Sequence, residues 1–95
     1  MEILHNTSKP ISCFYIKEGD VVLAKIDYKV EEDNTIFILH TEVSEKLKGM
    51  NIGNKLLQKV ADLARSEHRK IVPLCSFALA MFNKKEEYKD VWKQA

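Results

Sequence analysis

The segment Glu45-Lys46-Leu47-Lys48-Gly49-Met50-Asn51-Ile52-Gly53-Asn54-Lys55-Leu56-Leu57 joins two different periodicities. Before it, Thr35-Ile36-Phe37-Ile38-Leu39-His40-Thr41-Glu42-Val43 is rich in β-branched and aromatic residues, as a strand requires. After it, Ile52, Leu56, Leu57, Val60, Ala61, Leu63 and Ala64 follow i, i+4, i+5, i+8 spacing, the stripe of an amphipathic helix. Lys55, Gln58, Lys59, Asp62, Arg65 and Ser66 fill its other face. The pattern predicts a helix of about 16 residues that fades near Glu67-His68-Arg69. The segment is therefore the turn from a strand into a long helix. Such a helix start leaves about four backbone N–H groups unpaired and carries roughly half a positive charge. It is suited to a phosphate or other anion, held by main-chain donors. Glycine lets the main chain close around an anion without a Cβ in the way, and Lys46, Lys48 and Lys55 add positive charge.

Working outward, residues 1–10 are polar and end at Pro10, which reads as an arm or a short edge strand. Ile11–Ile16 is β-branched and aromatic, and the turn cluster Lys17-Glu18-Gly19-Asp20 follows it. Val21–Val30 alternates, with one apolar and one charged face. Glu31-Glu32-Asp33-Asn34 is a second turn into the strand at 35–43, so the first half reads as an antiparallel meander. Beyond the helix, Ile71-Val72-Pro73-Leu74-Cys75 forms a strand over 70–75, with Pro73 at an edge, an end or a bulge. Phe77–Phe82 is a second helical stretch, and Tyr88, Val91 and Trp92 are spaced to pin a last helical turn to the core. The order is β-β-β-α-β-α. Strands 35–43 and 70–75 with the helix between them make one right-handed βαβ crossover, giving an α+β domain with a mixed sheet over residues 1–95.

Composition narrows the function classes. The 95 residues are 45% hydrophobic and 31% charged, with a formal net charge of +1. That is globular rather than disordered. No global field steers the chain to nucleic acid, and no basic stripe interleaved with aromatics appears. No apolar run is long enough for a membrane helix, and no basic stretch followed by an apolar run opens the sequence, so no secretory leader is expected. Cys13 and Cys75 lie far apart, without C-x-x-C or zinc spacing. Free thiols, a reducing cytoplasm and no metal are the expectation. The two glycines match neither G-x-x-x-x-G-K-[ST] nor G-x-G-x-x-G. On spacing alone, a tight β-to-α turn explains them better than a ligand does.

Lys48-Gly49-Met50-Asn51-Ile52-Gly53 resembles the [RQ]-x-x-G-x-[GA] acetyl-CoA motif of the GNAT acetyltransferase superfamily. In order and spacing, His40-Thr41-Glu42-Val43, the glycine loop, Cys75-Ser76-Phe77 and Glu87-Tyr88 resemble a small GNAT-like family. Its chains are of about this length and carry H-T-x-V, G-x-G-[IV]-G, C-x-[FY] and E-Y motifs. The resemblance covers about residues 12–92. Two positions depart from it. Lys48 stands where Arg or Gln is usual and keeps charge without the planar fork. Asn51 stands where glycine is usual, and asparagine tolerates left-handed backbone.

The resemblance implies a minimal GNAT-like fold that binds acetyl-CoA. The coenzyme's pyrophosphate would lie on the N–H groups of Lys48, Gly49, Met50, Asn51, Ile52, Gly53 and Asn54, and its pantetheine arm would pair with main chain near Val43. It also implies transfer of acetyl to an amine, such as a protein lysine or terminus. The alternative is a module that holds coenzyme A or an acyl-CoA without turnover. Typical GNAT domains are longer and build an acceptor pocket from extra N-terminal helices, so an open acceptor side is expected here.

Two residues are catalytic candidates. Cys75, before a helix, is a nucleophile or acetyl carrier, or else a small buried residue. His40 is a general acid or base, or else a strand histidine bonded to a loop. Glu42, on the same strand face, competes as the base. His5 and His68 read as surface residues, Cys13 and Phe77 as core, Lys84-Lys85 as a solvated helix end, and Tyr88 and Trp92 as anchors.

Overall fold

The computed structural model describes residues 1–94. The elements in chain order are β1 (Leu4–Asn6), β2 (Ser12–Glu18), β3 (Val21–Val30), β4 (Thr35–Val43), α1 (Ile52–Glu67), β5 (Lys70–Pro73) and α2 (Ser76–Lys84). The described strands form one mixed sheet in the order β1-β2-β3-β4-β5. The first four pair antiparallel, and β4 pairs parallel with β5. This is the expected α+β architecture, with the polar N-terminal arm contributing the edge strand β1.

Each turn has a local cause. Gly19 closes the β2–β3 hairpin at φ +59°. Asn34 closes the β3–β4 turn at φ +64°, a conformation asparagine accepts better than most residues. The parallel neighbour β5 can be reached only by a crossover, and α1 provides it. Its buried stripe of Ile52, Leu56, Leu57, Val60, Ala61 and Ala64 meets Ile26, Tyr28, Ile36, Ile38 and Ile71 in a single core. His68 ends α1 in the left-handed conformation, and Arg69 N donates to Ala64 O across it. This exposed histidine is thus a helix terminator.

The register of β4 slips once. His40 pairs with Asp27, whereas Ile38 pairs with Tyr28, so Leu39 is an extra residue in a β-bulge. Ile36 and Ile38 face α1, and Phe37 faces the other side opposite Lys29 and Val72. After the bulge, His40 and Glu42 stand on that second face with Asp27 and Lys25. Among the described residues no helix covers this face.

The C-terminal segment differs from the expected helical turn. Glu86–Tyr88 is a short 3-10 turn, and residues 91–93 then run alongside β5. Ile71 N donates to Val91 O and Lys93 N to Ile71 O, because β5 would otherwise leave its outer edge groups unpaired. Tyr88 stacks on Phe82 with ring centroids 5.1 Å apart, and Trp92 meets Phe82 edge-on. Strand β5 stops at Pro73, two residues short of the expected end. His5, exposed as expected, stacks on Phe14 at 4.0 Å and its Nε2 lies 2.6 Å from the Tyr28 hydroxyl.

Arg65 ties this segment to α1. Its Nε and Nη2 donate to the two Asp90 carboxylate oxygens at 2.8 and 3.0 Å, and Nη2 also donates to Glu87 O. The guanidinium holds the Asp90 carboxyl below its ordinary value of 3.8. Stability from the pair is therefore present above that value and lost as pH falls through the lower folded one. Arg65→Ala is expected to cost about 1 kcal/mol at neutral pH. Thermal unfolding followed by Trp92 fluorescence checks this, and the gap to the parent protein should close as pH drops below 3.8.

Candidate active site at the mouth of the crossover helix

After β4, Ser44 Oγ accepts from Lys46 N at 3.2 Å and starts a 3-10 turn over Glu45–Leu47. Leu47 and Ile52 are buried, and the exposed residues Lys48–Asn51 form an arch between these two pegs. Gly49 sits at φ +83° and Asn51 at φ +58°. Asn51 is the N-cap of α1, yet its side chain makes no capping bond and no acidic residue stands in the first helical turn. Lys55 N donates to Asn51 O, the first bond of the helix. Among the described residues, the N–H groups of Gly49, Asn51, Ile52, Gly53 and Asn54 meet no acceptor. The Met50 N–H between the two left-handed residues is taken by Leu47 O, at 3.2 Å. The uncompensated helix start and the exposed Lys46, Lys48 and Lys55 give this end of α1 a positive character.

The two glycines serve different ends. Gly49 needs its positive φ, and a Cβ there would meet nothing within 4 Å. At Gly53 a Cβ would lie 2.9 Å from the Cζ of Phe77. Gly53 thus admits the Phe77 ring against α1 and gives no freedom to the turn. Asn54 is held from behind, because the buried Tyr88 hydroxyl donates to its Oδ1 at 2.9 Å. Burial pushes the Tyr88 phenol up to about 12, with Glu87 adding to the effect, so it remains a donor through neutral pH.

Beside this mouth, β4 and β5 stop pairing. The last ladder bond is Leu74 N to Ile38 O at 3.0 Å, and β4 continues to Val43 without β5 beside it. Main-chain groups of β4 on the side away from β3 thus border a cleft. Cys75 stands at its far wall as the N-cap of α2 and makes no side-chain capping bond. Its thiol is free and half-buried, 3.4 Å from Thr41 Oγ1. His40 points elsewhere: its Nε2 lies 3.3 Å from Glu42 Oε1, and both side chains are more than half exposed. The structure brings Cys75 to Thr41 and His40 to Glu42. Among the described residues no hydrogen bond joins His40 to Cys75. Thr41 was not singled out from the sequence because its partner lies 34 residues away. Alternation also sets it opposite its neighbours. Lys85 pairs loosely with Glu87 at 3.8 Å at the surface.

A sequence profile of the GCN5-related N-acetyl-transferase family matches residues 13–91. The chain belongs to this family. No curated protein matches the sequence. A GCN5-like protein of Staphylococcus aureus, solved by NMR, is 36% identical and superposes with a TM-score of 0.77, covering 97% of this chain and 89% of that one. An IAA acetyltransferase from Bacillus cereus is 23% identical with a TM-score of 0.61, covering 80% of this chain and 54% of that one. Tetrahymena GCN5 is 15% identical with a TM-score of 0.65, covering 93% and 64% respectively. These last two share the fold, and the chain spans little more than half the length of the Bacillus protein. GCN5-related N-acetyltransferases generally use acetyl-CoA. The loop here fits a diphosphate: its five free N–H groups, absence of acid and exposed lysines supply what such a group needs.

The left-handed Asn51 makes a stability prediction. Asn51→Ala forces an alanine into that region at a cost of about 1 kcal/mol. Asn51→Gly removes the Cβ and loses no side-chain bond, so it should match or exceed the parent protein in urea unfolding.

Proposed function

We propose that this protein binds acetyl-CoA at the mouth of α1 and transfers the acetyl group to an amine, with residues 1–95 acting as one such domain. The observation that carries this reading is the uncapped helix start with five unpartnered N–H groups. Lys48, Gly49, Met50, Asn51, Ile52, Gly53 and Asn54 form the diphosphate loop. The unpaired edge of β4 up to Val43 receives the pantetheine arm by strand-like bonding, which directs the thioester toward Cys75. Acetyl-CoA supplies an activated acyl group on a thiolate leaving group.

Two routes are open to the chain's own residues. In direct transfer, the acceptor amine forms the N–C bond as the thioester C–S bond breaks. His40, beside Glu42, takes the ammonium proton, and the departing thiolate takes the second proton released by the attacking nitrogen. In the two-step route, Cys75 Sγ forms the new S–C bond and yields its proton to the leaving thiolate. The amine then displaces the acetyl from Cys75. Thr41 Oγ1 lies 3.4 Å from Sγ, close enough to orient it by a hydrogen bond.

A second reading, coenzyme binding without turnover, is favoured by one observation. His40 and Glu42 are bonded to each other in the open rather than aimed at Cys75. The amine acceptor and a role for Cys75 rest on the family resemblance together with this geometry, and a cytoplasmic setting on the two free cysteines.

Coenzyme A is expected to raise the melting temperature, with one-site binding adding about 2.7 kcal/mol at a hundredfold excess over Kd. Lys48→Glu should weaken that binding roughly tenfold by placing a carboxylate at the anion loop. Absence of any shift at millimolar coenzyme sinks both readings. Intact mass after incubation with acetyl-CoA separates the routes: an acetyl adduct lost in Cys75→Ala supports the carrier, and undiminished transfer by that variant excludes it.

A further inference from the structure

The helix-free face of the sheet carries a groove of about 580 Å³, lined by Lys29, Glu31, Glu32, Asp33, Phe37, Leu39 and Leu74. Its floor is apolar: Phe37 and Leu39 from β4, and Leu74, which is 59% exposed. Large apolar side chains at an open surface mark a contact site when they are contiguous and rimmed by polar groups. The rim is acidic, with three carboxylates against one lysine. Lys29 pairs with Glu31 at 2.9 Å and Lys93 reaches Asp33 at 3.0 Å, while Glu32 is in no ion pair among the described residues. Lys9 borders the adjoining hollow on the far side of Glu31. The groove thus has one uncommitted negative charge at its outer end, in a chain whose net charge is +1.

The inner end of the groove is formed by the last lining residues before the cleft. Leu39 adjoins His40, and Leu74 adjoins Cys75. At a strand rise of about 3.3 Å per residue, the acidic rim lies roughly 20 Å from His40 along β4. An extended peptide covers that span in about six residues. Small amines would leave the floor and the rim unused.

We propose that this groove binds the acceptor, and that the acceptor is an extended basic peptide. Its reacting amine lies beyond Leu39 and Leu74, next to His40 at the end of β4. An apolar side chain covers Phe37, Leu39 and Leu74, and a lysine or arginine about six positions away meets Glu32. The proposal rests on the acetyl-transfer reading and adds the substrate class and its selectivity determinant. In the transfer step the ammonium proton leaves through His40, the peptide amine forms the N–C bond as the thioester C–S bond breaks, and the nitrogen's second proton passes to the departing thiolate.

The test uses synthetic peptides with one acceptor lysine and either lysine or glutamine six positions away. The purified protein, acetyl-CoA and mass-detected transfer complete the assay. The distal lysine is expected to lower KM about tenfold with kcat little changed, and the gain should shrink with added salt. Glu32→Lys should abolish or invert that preference while its thermal shift with coenzyme A stays at the parent value. Leu74→Ser should raise KM for both peptides alike. Equal KM values for the two peptides, or an unchanged preference in Glu32→Lys, overturn the groove. Binding of a fluorescein-labelled distal-lysine peptide, read by anisotropy, keeps the two readings apart. Glu32-dependent binding without transfer upholds the groove and refutes turnover. Transfer to a small amine such as hydroxylamine with no Glu32-dependent peptide binding does the reverse.

Discussion

The parallel ladder between β4 and β5 runs from Thr35–Lys70 to Ile38–Pro73 and closes with the bond from Leu74 N to Ile38 O. The candidate site depends on this early stop. Parallel pairing requires the crossover, and the crossover sets the start of α1 beside the free end of β4. Beyond Leu74 the chain leaves β5 for α2, whose N-cap is Cys75, and the bulge at Leu39 shifts the register of β4 at the same level. Together they separate two strands that would otherwise pair, and unpaired main chain is left facing a cleft.

The mouth of α1 is held from its inner side. Phe77 packs against Gly53, Tyr88 donates to Asn54, and Tyr88, Phe82 and Trp92 form one aromatic group beneath them. Arg65 fastens the segment carrying Tyr88 back onto α1 through Asp90 and Glu87 O. The helix start therefore has rigid support behind and free N–H groups in front. Backbone donors held in place without a ligand lose little freedom on binding one, which is where preorganisation adds affinity. The Tyr88–Asn54 bond supplies that rigidity without consuming any of the outward N–H groups.

Much of this frame was legible from residue pattern. The stripe from Ile52 to Ala64 identified α1, the alternation over Val21–Val30 identified β3, and the composition of 35–43 identified β4 with its observed bounds. Each is a local regularity that burial of one face enforces. The helical spacing of Tyr88, Val91 and Trp92 holds only for Tyr88, which is buried in the 3-10 turn at Glu86–Tyr88. The unpaired edge of β5 captured Val91 and Lys93 instead, and an edge has no signature in the segment that covers it. Thr41 was hidden for a related reason: its proximity to Cys75 comes from two strands 34 residues apart.

The sequence by itself determined the element order, the mixed sheet and the place of the glycine-containing turn into α1, because periodicity and turn chemistry act over a few neighbouring residues. It also carried the left-handed tolerance at position 51. Only the tertiary structure decided that Gly53 serves Phe77, that Cys75 meets Thr41, that His40 faces Glu42, and that one face of the sheet lies open. Those outcomes follow from register, a bulge and side-chain packing between distant segments, which no local pattern encodes.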